Sequence, residues 1–295
     1  MSLWITVLVA LAGGLLLAIL WSPALADDTI GGTIANTILG SPAKTAPLDN
    51  ALFGFAFAIA AGLGTTFTAC NCAVFSCIAP LTSAKGQARI GIGPLLLWMC
   101  IGVITVTSAY GIIGALLGSQ VPSLSQGVVH LPAGRTYPLR LLQSTTVFVS
   151  LGILLLFWGL AALQIVSTPL KGLVQRHHWI VPFFLGTIVG CFTIGRPFPL
   201  FHKLFQYSTG TGNPALSALL IALQGLGNIA LMALLFVLLT RGTKGRFERW
   251  LHGNPLRARI ITAFSLIVGG TFLIAYWGLR VPAAFGIGWF PHFSF

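Results

Sequence analysis

The sequence predicts an all-α polytopic membrane protein, and three observations carry that expectation. Seven long apolar segments recur along the chain, several exceeding the roughly 20 residues that cross a bilayer core. Charged residues make up only 7% of the chain, against about a quarter in an ordinary soluble domain. The lysines and arginines collect in alternate connecting loops, as they do where a chain is threaded through a membrane.

The first segment, 3–21, is apolar and runs into SPALADD. Ala24-Leu25-Ala26 fits a small-x-small cleavage site, whereas the absence of an N-terminal positive charge and the length of the apolar run fit a retained helix. Residues 1–26 are therefore read as a signal peptide or an N-terminal transmembrane anchor. Residues 27–50, which carry Asp27, Asp28 and Asp49, read as an extracytoplasmic segment.

The remaining segments are 51–81, 91–118, 143–166, 179–205, 214–239 and 259–279. Ten basic residues fall in the loops after the second, fourth and sixth segments: Lys85, Arg89, Lys171, Arg176, and six within RGTKGRFERWLHGNPLRAR. The opposite loops and the tail hold five: Lys44, Arg135, Arg140, Lys203 and Arg280. The richer side is the cytoplasmic one. Residues 167–178 become a cytoplasmic linker and 280–295 an extracytoplasmic tail, in a multi-pass protein of the plasma (inner) membrane. The net charge of +12 then belongs to loops facing anionic lipid heads, and no nucleic-acid partner is expected.

Self-comparison adds an internal repeat. Cys72 and Cys191, Pro80-Leu81 and Pro199-Leu200, and Trp158-Gly159-Leu160 and Trp277-Gly278-Leu279 are each separated by 119 residues. Gly93-Pro94 and Asn213-Pro214 are separated by 120. Two three-helix units, 51–166 and 179–279, follow. Because three is odd, the second enters the membrane from the opposite side, which is the inverted duplication of membrane carriers. The first helix of each unit is atypical. GLGTTFTACNCAVFSCIAPL and LGTIVGCFTIGRPFPLFHKL mix Gly, Thr, Cys and Pro where a plain span would be Leu-rich, and such composition marks broken helices lining protein or a water-filled cavity.

All four acids (Asp27, Asp28, Asp49 and Glu248) lie outside the spans, and the histidines lie in loops or at helix ends. No buried carboxylate relay, histidine metal site or cofactor is expected. Thiols, backbone groups and Arg196 remain. Cys70 and Cys77 stand about two turns apart, roughly 10 Å on a helix, too far for a disulfide, which needs Cα atoms within about 7 Å. Cys70 and Cys72 point to different faces. The repeat makes Cys191 the natural partner of Cys72, and Cys100 reads as packing. Arg196, a charge within a span, is either functional or snorkels to the outer end. Gln224 and Asn228, one turn apart, read as hydrogen-bonding glue between helices.

The helix AIAAGLGTTFTAC, the Cys77-Ile-Ala-Pro80 motif, the segment TGNPALSALLIALQGLGN and the two inverted units resemble the CcdA/DsbD family of transmembrane thiol–disulfide electron carriers. The resemblance covers roughly 51–279, mostly as architecture. It implies one reactive cysteine on the first helix of each unit, the two forming a reversible disulfide. Ser76 stands where the family motif has a proline before the cysteine, and the repeat equivalent of Cys77 is Arg196. Counted from Gly62, Cys70 falls at the family's cysteine position. The site residues this implies are Cys72, Cys191, Cys70 and Cys77, supported by Arg196, Pro80 and Pro199. The implied function is passage of reducing equivalents from a cytoplasmic thioredoxin-like donor to an extracytoplasmic acceptor, as in cytochrome c biogenesis. Two other readings stay open: a transporter of a soft metal ion or sulfur-containing anion on the same fold, and a non-catalytic subunit whose cysteines pack.

Overall fold

The protein is described by a computed structural model covering residues 3–40, 42–48, 50–66, 71, 92–125, 127–131, 134–166, 179–242 and 255–291. The predicted linker 167–178 and residues 72–91 lie outside these. Five described helices are long and apolar enough to cross a membrane, and a sharply bent pair makes a sixth. The all-α polytopic expectation therefore holds. Of the predicted 51–81 span, the described part is a shorter helix, Ala51–Gly64.

Helix α1 (Leu3–Leu20) stops ahead of Trp21-Ser22-Pro23, where proline cannot continue the i→i−4 ladder. A π-helical turn (Ala24–Gly31) and a short helix α2 (Gly32–Leu39) follow, so the predicted extracytoplasmic segment is itself partly helical. Helix α3 (Ala51–Gly64) is opened by Asn50, whose side chain accepts from the Phe53 amide at 2.8 Å. That bond satisfies one of the orphan donors of a helix start.

After α4 (Ile92–Leu117) comes a feature the apolar pattern did not foretell. A two-stranded antiparallel hairpin pairs β1 (Val128–Leu131) with β2 (Arg135–Pro138), Val129 standing opposite Tyr137. Gly134 turns it at φ +71°, a conformation glycine adopts without steric cost. Tyr137 fastens the hairpin to the bundle, its hydroxyl 2.9 Å from Thr145 Oγ1 and its ring edge-on to Phe285 at 5.2 Å. Helix α5 (Leu139–Ala162) begins where the hairpin ends.

The largest departure from a plain span lies in α6 (Ile180–Gly195) and α7 (Pro199–Gly210), which meet at 88°. The cause is legible in Arg196-Pro197-Phe198-Pro199. A residue before proline is pushed out of the helical region, and here that happens twice in succession. Arg196 sits at φ −83°, ψ 128° and Phe198 at φ −79°, ψ 127°. The sharp turn between two helices is thus written into four residues.

Helix α8 (Pro214–Gly242) is capped by Asn213 Oδ1, which accepts from the amides of Ala215 and Leu216. Helix α9 (Pro255–Leu273) widens into a π-helical stretch (Ile274–Arg280) and ends in α10 (Val281–Ala284).

The bundle is built on small-residue crossings, as expected where lipid tails are no less apolar than leucine and contact must come from close packing. Helix α4 packs on α6 and α8, α8 on α3, and α5 on α9, with α1 against the outer side of α9. At the α3–α8 crossing Gly62 and Gly227 bring the two backbones together, and at the α4–α6 crossing Gly102 and Gly186 do the same. Gly152 and Gly270 make the α5–α9 crossing, where a Cβ on either would fall 2.8 or 2.7 Å from the other's carbonyl oxygen. Facing outward, Leu8, Leu97, Leu116 and Ile153 are among many large apolar residues more than half exposed, the surface a bilayer covers.

Gly225 of α8 offers a graded test of this packing. A Cβ there would meet Val103 Cγ1 at 2.7 Å and Thr107 Cγ2 at 2.9 Å, side-chain atoms that give way in part. Gly225→Ala is expected to cost about 1–2 kcal/mol, the range for modest overpacking, read as a lowered midpoint in thermal unfolding of the detergent-solubilised protein. An unchanged midpoint would show that the α4–α8 contact is slack.

Candidate functional site

The break between α6 and α7 opens onto a cavity of about 250 Å³. Its polar wall is Thr65, Asn71, Thr193, Arg196 and Asn228, and its apolar wall is mainly aromatic, with Phe148, Phe192, Phe272, Tyr276 and Trp277. The sequence reaches this arrangement through local breaks. Helix α3 ends at Gly64, where the Thr65 hydroxyl turns back onto the Gly62 carbonyl at 2.8 Å. Helix α6 ends at Gly195 because of the two prolines that follow.

Asn228 of α8 joins the two broken segments. Its Oδ1 accepts from Asn71 Nδ2 at 2.8 Å and from Thr65 Oγ1 at 3.3 Å, and its Nδ2 donates to Thr193 Oγ1 at 3.0 Å. Asn71 Nδ2 also reaches the carbonyls of Thr66 at 3.1 Å and Thr65 at 3.4 Å. Asn71 and Asn228 are 1% and 2% exposed. Buried amides of this kind persist only when hydrogen-bonded, and this pair spans α3, α6 and α8. The glue expected of Asn228 is present, and it reaches both breaks. Gln224 differs: it is fully buried, and neither of its side-chain polar atoms has a hydrogen-bond partner among the described residues.

Arg196 stands at the break itself, its guanidinium over the Phe198 ring at 5.6 Å from the centroid and its Nη1 buried. It lies just past the C-terminal end of α6, where the carbonyl ends of the helix favour a cation. The charge faces the cavity with Tyr276 and Trp277.

The other predicted site residues distribute as follows. Cys191 lies on α6 as a half-buried free thiol, beside the cavity-lining Phe192 and Thr193 but not among the described wall residues. Cys100 is a free, half-buried thiol on α4. Pro199 opens α7. Cys70, Cys72, Cys77 and Pro80 lie outside the described residues, although Asn71, between Cys70 and Cys72 in sequence, is in the wall. Helices α3 and α6 end 131 residues apart, at Gly64 and Gly195, so the 119-residue offset relating Cys72 to Cys191 does not relate the two helix ends. Among the described residues no three His, Cys, Asp or Glu side chains group as a metal site.

Thr65, Asn71 and Thr193 were not singled out from the sequence. The available signal was Asn71, an amide within an apolar run, overshadowed by the cysteines on both sides.

Fold and cavity together define a polytopic helical membrane protein with a mainly aromatic chamber at a helix break, its polar wall carrying one cation, Arg196, among the described residues. No protein-family model matches the chain, and neither a curated protein nor a solved structure matches it.

Proposed function

We propose that the chain is a membrane thiol–disulfide interchange protein that passes reducing equivalents from a cytoplasmic thioredoxin-like donor to an extracytoplasmic acceptor, of the cytochrome c biogenesis type. The observation that carries this reading is the Asn228 junction. It ties Asn71, flanked in sequence by Cys70 and Cys72, to Thr193 on the helix that bears Cys191, at one cavity.

The packing scheme supports the duplication that the reading requires. Exchanging the two units, 51–166 and 179–279, turns the α3–α8 contact into the α6–α4 contact and leaves α4–α8 and α5–α9 in place. That is the pattern a pseudo-twofold axis would produce.

The exchange runs in two balanced steps. A donor thiolate attacks one sulfur of the chain's disulfide, forming a mixed disulfide and freeing one chain thiolate. The donor's second thiolate then attacks the donor sulfur of the mixed disulfide and displaces the remaining chain thiolate, so the donor leaves as its disulfide and the chain, once protonated, is left as a dithiol. The same sequence in reverse roles passes two electrons and two protons to an oxidised extracytoplasmic partner. A buried thiol reacts poorly unless solvated or placed near positive charge, and Cys191 is half-buried on the helix that leads into the Arg196 end of the chamber.

Mass-tagged maleimide alkylation in membranes, before and after reduction, tests the proposal. A reducible pair is expected in the intact chain and is expected to vanish in Cys191→Ala and in one of Cys70→Ala, Cys72→Ala or Cys77→Ala. An unchanged pattern in Cys191→Ala refutes the carrier.

The cavity also favours one form of the transporter reading. A chamber with a guanidinium, two amides and two threonine hydroxyls offers an anion positive charge and hydrogen-bond donors. Uptake of a sulfur-containing anion that survives Cys191→Ala but not Arg196→Met would select it.

A further inference from the structure

We propose that residues 18–46 form a strap that closes the cavity at one end of the bundle, latched at each end by a single cation. The inference rests on the cavity being the working site and concerns how that site is opened.

At the first latch Arg280 Nη1 donates to the carbonyls of Ala18 at 2.6 Å, Ile19 at 3.2 Å and Trp21 at 2.7 Å. Ala18 and Ile19 belong to the last turn of α1, whose carbonyls have no partner within their own helix, and Trp21 lies just past it. The same guanidinium stands over the Tyr276 ring, 5.3 Å from its centroid. At the second latch Lys203 Nζ donates to the carbonyls of Ala43 at 2.8 Å, Lys44 at 3.0 Å and Ala46 at 2.5 Å, above the Phe57 ring. Six main-chain acceptors of one segment are thus held by two side chains, Lys203 within the second predicted unit and Arg280 just past its end.

Between the latches the strap lies tight on the bundle. Gly31 meets Gly64 so closely that a Cβ on either would sit 2.7 Å from the other's carbonyl oxygen. Trp21 stands edge-on to Phe272 at 5.4 Å, and both rings, with Pro23, belong to the cavity wall. The strap is therefore part of the enclosure. Leu141, Pro197 and Val281 complete the wall nearby.

On the strap the latches bond main-chain carbonyls, so they impose no side-chain match there and exchange readily for water where they are exposed. Lys203 also rides on α7, the half-helix beyond the Arg196–Phe198 break. A tilt of α7 about that break draws Lys203 away from residues 43–46. Opening of the strap and movement of the broken helix become one event. The design also requires residues before Ala26 to remain attached, because the Arg280 acceptors and Trp21 all precede it.

The test uses the full-length chain in lipid nanodiscs, with Cys70, Cys72, Cys77, Cys100 and Cys191 replaced by alanine and Leu141→Cys as reporter. A charged methanethiosulfonate measures access. Slow labelling is expected in the latched chain, relative to a Trp289→Cys reporter on the exposed tail (Trp289 is 84% exposed). Lys203→Ala and Arg280→Ala are each expected to speed labelling at least tenfold. Lys203→Arg and Arg280→Lys, which keep donor and charge, are expected to stay slow and so control for misfolding. Latched-chain labelling as fast as at Trp289→Cys, or alanine forms no faster than the latched chain, overturns the strap. Labelling reads access alone, so it is decided whether or not the wild-type cysteines exchange disulfides; their failure to do so would sink the carrier reading and leave the strap standing.

Discussion

Arg196→Met is expected to abolish most of the function while leaving the protein about as stable as before. Replacing a buried charge by an apolar side chain of similar length removes a desolvation cost and gives up the contact with the Phe198 ring, worth about 0.5–2 kcal/mol, so the two changes offset. Met also fills much of the same space. The lost interaction is electrostatic. Cys191 precedes Arg196 by five residues, about 7.5 Å of helical rise. At an effective dielectric near 20, a thiolate and a guanidinium whose charges stand about 8 Å apart would attract by about 2 kcal/mol. Loss of that attraction corresponds to a fall in exchange rate of at least about tenfold. Stopped-flow thiol exchange in nanodiscs, paired with thermal unfolding, separates the two outcomes. A large drop in the unfolding midpoint would make Arg196 a structural residue, and an unchanged rate would remove it from the mechanism. Arg196→Lys, which keeps a charge but not the planar fork, is expected to recover part of the rate.

Asn228→Leu is expected to produce the opposite balance, losing stability and function together. Leucine keeps the volume but removes an acceptor used by Asn71 and Thr65 and the donor to Thr193. Stranding a buried polar group costs about 1–3 kcal/mol in general, whereas hydrogen bonds between transmembrane helices average nearer 0.6 kcal/mol. Asn71 keeps its carbonyl partners at Thr65 and Thr66, so the net expectation is about 2 kcal/mol. A double-mutant cycle with Asn71→Ala checks the assignment: if the two residues act through one bond, their effects on unfolding are less than additive. Strict additivity would mean that the junction does not couple the two breaks. Loss of the reducible cysteine pair in Asn228→Leu is the accompanying functional readout.

Much of the fold was legible because its cause is local. Hydropathy set the spans, and Arg196-Pro197-Phe198-Pro199 dictates an interrupted helix by steric rules that need no partner. The hairpin of 128–138 was not legible. Its strands are four residues each, too short for alternation to stand out from the neighbouring helices, and it is held by Tyr137 contacts with Thr145 and Phe285. The site divides in the same way. Arg196 announced itself as a charge in an apolar run, whereas Thr65, Asn71 and Thr193 are ordinary residues until α8 brings Asn228 between them.

By itself the sequence determined that this protein lives in a bilayer, where its helices run and where one of them breaks, because burial in lipid and proline sterics act on composition and on adjacent residues. Only the tertiary structure decided which polar groups meet. Thr65, Asn71, Thr193 and Asn228 converge because the Gly62–Gly227 approach brings α3 and α8 into backbone contact, and hydrogen bonds across more than 150 residues depend on that approach, not on spacing. The same is true of the strap, whose two latches are cations that the sequence placed in loops and the fold placed on carbonyls.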